Sequence, residues 1–473
     1  MAVRDIGRSK ARLQAASLFV EPLISLDPVG DWSVVDFFSG CGGMSCGFAR
    51  RAPFRILAAV DAEHAKPCEG FGRLDCNATY LANIGIEPIE RNIAELDPDD
   101  FWSGLINRTD STLNAGDLTV LLHCPPCTDF SRAKPTNHLG DSAKNSLAAK
   151  CVDFARAMRP EFVLMENARE LIQGNNRHHF HTLVRGLETL GYDVKGEIHF
   201  LSRFGLPQVR ERALVVASRS GPALTLSDLW EGWEVDPLAT HVRHAIGSLG
   251  TRRLAAGVVD PEDVMHVSPG FASEVVLRRM EAIPKDGGSW FDLADHPQRE
   301  ELLVPSMKGR LARQDLGSHP DVYGRLSWNK PAVTIKRECA HVGNGRYAHP
   351  DQTRLLTVRE MALLQGFPLD YQFTSKSLAN RYRHIGDAVP PLISYQLSAL
   401  VSWMKTGVRP EPRDWILPGT SLKLPDVRRC RTTRTFRSQP APLFQPSLKS
   451  GPVLGITPES SIIAPGMVKI EHV

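Results

Sequence analysis

Three groups of polar residues in this sequence adjoin short apolar runs, and together they could carry out nucleophilic chemistry. Cys124-Pro-Pro-Cys127 directly follows the apolar run Leu118–Leu122. Glu166-Asn167 follows Phe162–Met165, and the arginine-containing run Gln208–Arg212 precedes another apolar stretch. A thiolate is a strong nucleophile, a carboxyl group can transfer a proton, and a guanidinium can stabilise developing negative charge.

Cys127 has two interpretations. Cys-x-x-Cys at the end of a strand is also a thiol-disulfide motif, which would use Cys124 together with Cys127. A nucleophile would instead need partners elsewhere in the chain. The two prolines end any β-ladder here, so Cys127 is expected just past the carboxyl end of a central strand, where open α/β sheets bind ligands.

A glycine-rich loop after the predicted strand 33–38 indicates a bound cofactor. Its sequence, Ser39-Gly-Cys-Gly-Gly-Met-Ser-Cys-Gly47, permits sharp turns and close approach of the backbone to a ligand. The next predicted strand, Phe54–Asp61, ends in a carboxylate 21 residues after Gly40. An acid at about that distance commonly binds ribose hydroxyls, and the alternative is a helix cap. The combination favours a ribose-containing cofactor.

Strands alternate with helices between residues 33 and 218, which predicts a doubly wound, mostly parallel α/β sheet. The carboxyl ends of such strands share one edge of the sheet, so the glycine loop, Asp61, Cys127 and Glu166 are expected at one rim. The polar segment Thr128–Asp141 lacks periodicity and is predicted to be a mobile loop. Ser146–Met158 is predicted to be helical.

The remaining part of the chain has a different character. Short helical and irregular segments after residue 218 predict a second, smaller domain. A helix is predicted over Leu355–Leu364, with Thr357 and Glu360 at the spacing of a capping box. Tyr382–Pro391 is predicted to be a loop and Leu392–Met404 a helix. From residue 408 the chain contains ten prolines and a run of arginines, which predicts a disordered or loosely docked tail.

Composition limits the class of protein. The 473 residues are 42% hydrophobic and 23% charged, which is ordinary for a globular chain of two or three domains. The sequence has no run of about 18 apolar residues, and Glu21 and Pro22 interrupt its amino-terminal apolar segment, so neither a membrane span nor a secretory signal is expected. Nine irregularly spaced cysteines favour a reducing cytosol. Residues 405–473 carry a net charge of +6 and residues 1–404 a net charge of −3, so any nucleic-acid groove in the folded part must be a local basic patch.

Six motifs, taken in order, resemble those of the C5-cytosine DNA methyltransferases. They are Asp36-Phe-Phe-Ser-Gly-Cys-Gly-Gly-Met-Ser-Cys-Gly-Phe48, Pro125-Pro-Cys-Thr-Asp-Phe-Ser131, Glu166-Asn-Ala168, Gly205-Leu-Pro-Gln-Val-Arg-Glu-Arg212, Arg354-Leu-Leu-Thr-Val-Arg-Glu360 and Gly386-Asp-Ala-Val-Pro-Pro391. The resemblance implies a Rossmann-like, S-adenosylmethionine-dependent catalytic domain over residues 31–218. It also implies a target-recognition domain over 219–380 and a return segment over 381–407, between an extension, 1–30, and the tail, 408–473.

The resemblance implies roles for individual residues as well. Cys127 matches the nucleophile, Glu166 the acid, and Arg212 the group that holds the base, with Arg210 in the same motif. It implies that S-adenosyl-L-methionine is bound by Phe38, Ser39, Gly40, Cys41, Gly42, Gly43, Asp61, Ala62, Asn92, Ile93, Pro125, Leu147, Asp387, Ala388 and Val389.

Four positions depart from the family pattern. Asn92 stands where an aspartate contacts the adenine amine, and its carbonyl can accept the same bond. Asp387 stands where asparagine is usual, Thr128 replaces a glutamine after the nucleophile, and Ala168 replaces a valine. None of these changes removes a catalytic group.

The implied chemistry explains why these groups are needed. Addition of the Cys127 thiolate at C6 of cytosine makes C5 nucleophilic enough to attack a methyl sulfonium. A protonated Glu166 can donate to N3, and Arg212 can bond to O2. The base must be flipped out of the duplex, at a cost of about a few kcal/mol, and Thr128–Asp141 is a candidate lid over it. No metal ion is needed for this chemistry.

The resemblance therefore implies double-stranded DNA as the substrate of a cytoplasmic, monomeric enzyme that works alongside the nucleoid. A restriction-modification or host-defence setting, with a partner from such a system, fits this enzyme, whereas a membrane partner does not. An RNA substrate such as tRNA is one alternative, and the length of region 219–353 favours DNA. A thiol-disulfide protein using Cys124 and Cys127 is another, which leaves Glu166 and the glycine loop unexplained.

Overall fold

The computed structural model describes residues 32–63, 73–108, 113–126, 147–249, 254–313 and 321–430. Several predictions fall outside these residues: the nucleophile Cys127, the loop Thr128–Asp141, the extension 1–30 and the part of the tail from residue 431.

The centre of the fold is a seven-stranded sheet. Its strands are β1 (Trp32–Phe37), β2 (Phe54–Asp61), β3 (Ile89–Glu90), β4 (Val120–His123), β5 (Phe162–Ala168), β6 (Asp193–Phe200) and β7 (Glu211–Ser218). They lie in the order β3-β2-β1-β4-β5-β7-β6. Neighbours from β3 to β5 are parallel, whereas β7 runs antiparallel to both β5 and β6. The predicted doubly wound, mostly parallel α/β fold is confirmed.

Helices cover both faces of this sheet. Those of the described residues are α1 (Gly43–Ala49), α2 (Cys76–Ile84), α3 (Pro98–Arg108), α4 (Leu147–Met158), α5 (Glu170–Gln173), α6 (His178–Thr189), α7 (Leu226–Leu229), α8 (Val242–Ile246), α9 (Glu274–Ala282), α10 (Arg299–Leu302), α11 (Pro305–Arg313), α12 (Val358–Leu364), α13 (Leu378–Asp387) and α14 (Pro391–Thr406). Side chains of α3, α4 and α6 pack on one face, and those of α1, α2 and α14 on the other. Consecutive residues of a strand point to opposite faces, so Val34 and Val35 are both fully buried, in different halves of the core.

The sheet changes winding direction between β1 and β4. The chain proceeds from β1 outward through β2 and β3, and from β4 outward through β5 on the other side. Phe37 at the end of β1 pairs with His123 at the end of β4, and the N–H of Cys124 donates to the Phe37 carbonyl at 3.4 Å. Open α/β sheets bind ligands at such a crossover. The glycine loop and the Cys-Pro-Pro segment therefore leave the sheet side by side.

The prediction of a loop over Tyr382–Pro391 is wrong, because α13 continues to Asp387. Ser377 caps the start of this helix, with its hydroxyl accepting a backbone N–H. Gly386 weakens the helical pattern in the sequence. In the folded chain it is needed because a Cβ there would lie 2.3 Å from the carbonyl oxygen of Lys336. A tertiary contact therefore overrides the local signal.

The prediction of a disordered tail from residue 408 is wrong for residues 408–430. Trp415 is fully buried, and the strand β9 (Val427–Arg429) pairs antiparallel with β8 (Trp233–Val235). Proline is tolerated at the first turn of a helix, and here Pro412 begins a short 3₁₀-helix. Proline content is therefore a poor guide to disorder in this stretch.

The other predicted elements agree with the structure to within a few residues at each end. The capping box of Thr357 and Glu360 at the start of α12 is confirmed, with both reciprocal bonds present. Residues 219–380 contain the short helices α7 to α12, and the core on the α1 side of the sheet continues into this region. In the part of the chain that the structure describes, no helix is long and apolar enough to span a bilayer.

Candidate active site

The loop between β1 and α1 adopts backbone conformations that favour glycine. Gly40 and Gly42 have φ values of 51° and 93°. A Cβ at Gly40 would have no described atom within 4 Å, so this position faces open space. At Gly43, by contrast, a Cβ would lie 2.3 Å from the carbonyl oxygen of Val389. Gly43 therefore permits close packing of α1 against the segment that follows α13.

Asp61, at the end of β2, holds the glycine loop. Its Oδ2 accepts the N–H of Gly40 at 2.9 Å, and its Oδ1 accepts the N–H of Glu63 at 2.7 Å. A carboxylate oxygen has more than one acceptor position, so Asp61 can still accept from a ribose hydroxyl. The predicted ribose acid thus also shapes the loop, and Ala62 continues the chain beside it.

Two buried polar atoms near this loop have no hydrogen-bond partner among the described residues. They are Oδ1 of Asp36 and Oγ of Ser39. The other oxygen of Asp36 accepts from Ser45 Oγ at 2.6 Å, and burial raises the pKa of Asp36 to about 7. Buried polar groups normally find a partner in protein, water or ligand. The surroundings of the loop therefore fit a polar ligand that forms hydrogen bonds.

The residues predicted to contact adenine lie after β3. Asn92 caps a short 3₁₀-helix, because its Oδ1 accepts the N–H of Ala94 at 3.1 Å. Its Nδ2 donates to Glu95 at 2.7 Å, and Ile93 is buried beside it. The Asn92 carbonyl keeps a second lone pair for a ligand.

The segment Cys124–Pro126, which precedes Cys127, is tied to the end of β5. The N–H of Glu166 donates to Cys124 Sγ at 3.4 Å, and Asn167 Nδ2 donates to the Pro125 carbonyl at 3.1 Å. Burial raises the pKa of the Cys124 thiol well above its ordinary value. Thiol-disulfide exchange requires a thiolate. Because the raised pKa keeps the Cys124 thiol protonated, it disfavours the thiol-disulfide alternative. Cys124 instead serves to pack the two strand ends together.

The predicted acid and the predicted base-binding arginine lie next to each other. Arg212 Nε is 2.8 Å from Glu166 Oε1, with 14% of the arginine side chain and 10% of the glutamate side chain exposed. Neither atom meets the geometry of a hydrogen bond, so the contact is an ion pair without alignment. Arg212 Nη1 also donates to the Glu211 carbonyl at 2.8 Å. Both side chains are thus held near the rim of the sheet, each with a small exposed fraction.

Arg210, the other arginine of this motif, makes its hydrogen bonds to backbone carbonyls. It is buried, and its guanidinium donates to the carbonyls of Ile335 at 3.0 Å and Ala388 at 3.5 Å. These bonds connect the start of β7 to the region before α12 and to the segment after α13. We therefore interpret Arg210 as a positioning residue.

Two buried glutamines, Gln208 and Gln365, connect the same chain segments that Arg210 connects. Gln208 Nε2 donates to Gln365 Oε1 at 2.7 Å, and Gln365 Nε2 donates to the Ala388 carbonyl at 2.8 Å. Gln208 Oε1 accepts the N–H of Ile335 at 2.9 Å. Sequence reasoning missed Gln365, because a single polar residue after a helix has no distinguishing pattern.

His123 also contributes to the arrangement of this site, and sequence reasoning did not identify it. It is fully buried, its ring packs edge-on against Phe38 at 5.1 Å, and its Nε2 lies 2.9 Å from the carbonyl of Leu147. Burial lowers the pKa of His123 to about 4, so the ring is neutral near pH 7 and donates through Nε2. His123 thereby connects the end of β4 to both the glycine loop and the first turn of α4.

The segment Asp387–Val389 completes this part of the molecule. Arg337 Nη1 lies 3.2 Å from Asp387 Oδ2, and Cys41 Sγ donates to the carbonyl of His384 at 3.4 Å. Desolvation by the surrounding protein raises the pKa of Asp387 to about 6, although 38% of its side chain is exposed. Among the described residues, no three His, Cys, Asp or Glu side chains converge as a metal-ligand set.

Comparison with known proteins adds independent information. A model of C-5 cytosine-specific DNA methylases matches residues 32–401. The chain is 30% identical over 387 residues to the Type II methylase M.HgiDII of Herpetosiphon aurantiacus, over 80% of this chain and 98% of that protein. It is 29% identical over 362 residues to the Type II methyltransferase M.NgoFVII of Neisseria gonorrhoeae, over 76% of this chain and 83% of that protein.

A solved structure has the same fold. It is that of a proposed DNA modification methyltransferase encoded within an E. coli prophage, which superposes with a TM-score of 0.52 at 18% identity. The match covers 79% of this chain and 99% of that one.

Proposed function

The chain belongs to the family of C-5 cytosine-specific DNA methylases, and from this we propose that Cys127 forms a covalent adduct with a flipped cytosine during methyl transfer. The observation that carries the proposal is the pair Glu166–Arg212, 2.8 Å apart. It lies next to Cys124, to which the Glu166 N–H donates. An acid and a cation thus stand beside the segment that leads into the proposed nucleophile.

The proposed methyl donor is S-adenosylmethionine, which would supply an electrophilic methyl sulfonium. The open space at Gly40 and the unpartnered Ser39 hydroxyl support a polar ligand at the glycine loop. Asp61 would hold the ribose, Asn92 the adenine amine, and the segment 387–389 the amino-acid end.

Each of the proposed catalytic residues has a separate part in the reaction. The Cys127 thiolate adds to C6 of cytosine, which pushes electron density toward N3 and O2. Glu166 transfers a proton to N3 and Arg212 stabilises O2, and these two atoms are neighbours on the base just as the two side chains are neighbours in the protein. C5 takes the methyl group from the sulfonium, which would leave as a thioether, and water in the site accepts the C5 proton. N3 returns its proton to Glu166, and the C6–S bond breaks to release the Cys127 thiolate.

We assign target recognition to residues 219–380 and closure of the donor site to residues 381–407. The second assignment is supported by the contacts of α13 and the following residues with the glycine loop, at Cys41 and Gly43. The names of two similar proteins, both Type II methylases or methyltransferases, support a restriction-modification setting.

The test is transfer of a tritiated methyl group from S-adenosylmethionine to duplex DNA of mixed sequence, with total RNA as a parallel substrate. DNA should be labelled, and DNA containing 5-fluorocytosine should trap a covalent complex. Cys127→Ser should abolish both results, whereas Cys124→Ala should largely retain them. Full activity of Cys127→Ser would refute the assignment of the nucleophile, and labelling of RNA alone would refute the choice of DNA.

A further inference from the structure

Two ion pairs connect α13 to the chain segment 336–338. Arg337 Nη1 lies 3.2 Å from Asp387 Oδ2, and Arg383 Nη2 lies 3.4 Å from Glu338 Oε2. The charges are arranged in opposite senses, with the arginine on the segment in one pair and on the helix in the other. This arrangement fixes the register of the helix along the segment.

The two backbones also touch directly between these pairs. A Cβ at Gly386 would lie 2.3 Å from the carbonyl oxygen of Lys336 and 2.7 Å from Cα of Arg337. The end of α13 cannot slide along the segment without a clash. The Asp387 carboxylate and the Arg337 guanidinium are therefore held in a defined relation to each other.

The same end of α13 lies against the glycine loop. Cys41 Sγ donates to the His384 carbonyl at 3.4 Å, and a Cβ at Gly43 would lie 2.3 Å from the carbonyl of Val389. Asp387 lies between these two contacts along the chain, so it stands at the edge of the proposed methyl-donor site.

Other carboxylates stand close to this edge. Burial raises the pKa of Asp387 most, and the negative charges of Glu338 and then of Asp61 raise it further. S-adenosylmethionine brings another carboxylate, on its amino-acid end, together with an ammonium group. Like charges repel, so an Asp387 without compensation would oppose the carboxylate of this ligand.

Arg337 has the positive charge and the hydrogen-bond donors to compensate this repulsion between carboxylates. Its side chain is 22% exposed and that of Asp387 is 38% exposed, so the pair is accessible to a ligand. The buried Nε of Arg337 has no hydrogen-bond partner among the described residues. A guanidinium has five N–H donors and can bind a carboxylate in bidentate fashion.

We propose that Arg337 and Asp387 together bind the amino-acid end of the methyl donor, with Arg337 on its carboxylate and Asp387 on its ammonium group. This proposal rests on the proposed use of S-adenosylmethionine and adds Arg337, from the region assigned to target recognition, to the donor site. It also explains why an aspartate is accommodated where the family usually has asparagine: the carboxylate has a fixed cationic partner.

The test compares two ligands by isothermal titration calorimetry on the full chain. S-adenosylhomocysteine carries the amino-acid end, and methylthioadenosine lacks it. Arg337→Gln should weaken binding of S-adenosylhomocysteine by about tenfold or more, as expected for loss of a charge-assisted hydrogen bond. Binding of methylthioadenosine should change by less than about twofold, since the adenosine part does not contact Arg337.

Arg383→Gln is the matched control, because it breaks the other ion pair between the same two segments. Any loss of affinity that it causes should be equal for the two ligands, because Arg383 acts through the position of α13 and not on the amino-acid end. If Arg337→Gln weakens both ligands equally, Arg337 acts only on the shape of the site and the proposal is wrong. The proposal is also wrong if neither affinity changes.

A measurement on the unaltered protein tests the proposal even if a variant fails to fold. The analogue of S-adenosylhomocysteine without its carboxylate should bind about tenfold more weakly than S-adenosylhomocysteine itself. Equal binding of the two would refute a role for Arg337 on the carboxylate. Failure of the unaltered protein to bind either adenosine ligand would instead refute the proposed methyl donor.

Discussion

Arg212 and Glu166 lie on the adjacent antiparallel strands β7 and β5, with Nε and Oε1 separated by 2.8 Å. The register pairs Arg212 with Ala168, so Glu166 is its diagonal neighbour on the same face of the sheet. Because the ion pair is not aligned as a hydrogen bond, both groups can turn toward the edge of an entering base. The sheet thus places the proposed proton carrier, Glu166, beside the Arg212 cation.

Glu166→Gln should lower the rate of methyl transfer by about 10²- to 10⁴-fold, the usual contribution of a general acid. The amide keeps the size of the side chain but cannot transfer a proton to N3. The measurement is single-turnover methylation of duplex DNA, with binding of the same DNA followed separately.

The matched control for this variant is Glu211→Gln. Glu211 is a neighbouring carboxylate that pairs with Arg169 at 2.8 Å and not with Arg212 through its side chain. Its substitution should change the rate far less. Equal losses in the two variants would mean that local charge, and not proton transfer by Glu166, determines the rate.

His123→Phe should slow formation of the trapped adduct by about tenfold, while the protein remains folded. Phenylalanine preserves the ring packing on Phe38 but leaves the Leu147 carbonyl, at the start of α4, without its donor. His123→Gln restores an N–H donor and should recover part of the rate. An adduct rate unaffected by His123→Phe would show that this hydrogen bond does not position the site.

Asp36→Asn should remove a specific pH dependence of the free energy of unfolding. The folded-state pKa of Asp36, about 7, lies above its ordinary value of 3.8, so the folded protein binds this proton more tightly than the unfolded chain does. The contribution is fully present below about pH 4 and is lost as the pH rises toward 7.

The measurement is urea unfolding of both proteins at pH 5 and pH 8. Relative to Asp36→Asn, the unaltered protein should lose on the order of 2–3 kcal/mol between these values. The hydroxyl of Ser45 can still donate to the asparagine carbonyl, so the variant keeps this bond. Parallel pH profiles for the two proteins would contradict the prediction.

Glu360→Gln should reduce the free energy of unfolding by about 3–5 kcal/mol, because it leaves a buried cation without its partner. Arg354 contacts both oxygens of Glu360, at 2.7 and 2.8 Å, and both side chains are fully buried. The pairing lowers the pKa of Glu360 to about 2 against the opposing effect of burial. This stability is present above the ordinary value of 4.5 and is lost as the pH falls toward 2.

Replacing both residues of this pair with methionine tests whether the unpaired buried charge causes the loss of stability in Glu360→Gln. A buried ion pair can often be exchanged for apolar residues without loss, so Arg354→Met combined with Glu360→Met should be more stable than Glu360→Gln. Denaturant unfolding at pH 7 measures all three proteins. A double variant less stable than the single one would show that the pair has a role beyond charge compensation.

Strong local patterns explain what sequence reasoning predicted well. The strands β4, β5 and β7 each contain a continuous apolar run next to polar residues, and such a run indicates burial of both faces of a sheet. The capping box of Thr357 and Glu360 involves residues three apart, so its signal is entirely local. Predictions that depended on weak local signals were less successful, as shown by the helix α13 and by the ordered segment 408–430.

The sequence by itself determined the sheet, the order of its chemical motifs and the family to which the chain belongs, because apolar periodicity and motif spacing are properties of the linear chain. Only the tertiary structure decided which motif residues meet and what they do. It paired Arg212 with Glu166, placed Arg210 on backbone carbonyls, and brought Arg337 to Asp387. These contacts join residues up to 178 positions apart. No local pattern encodes such contacts, since they arise from the packing of elements whose relative positions depend on the whole core.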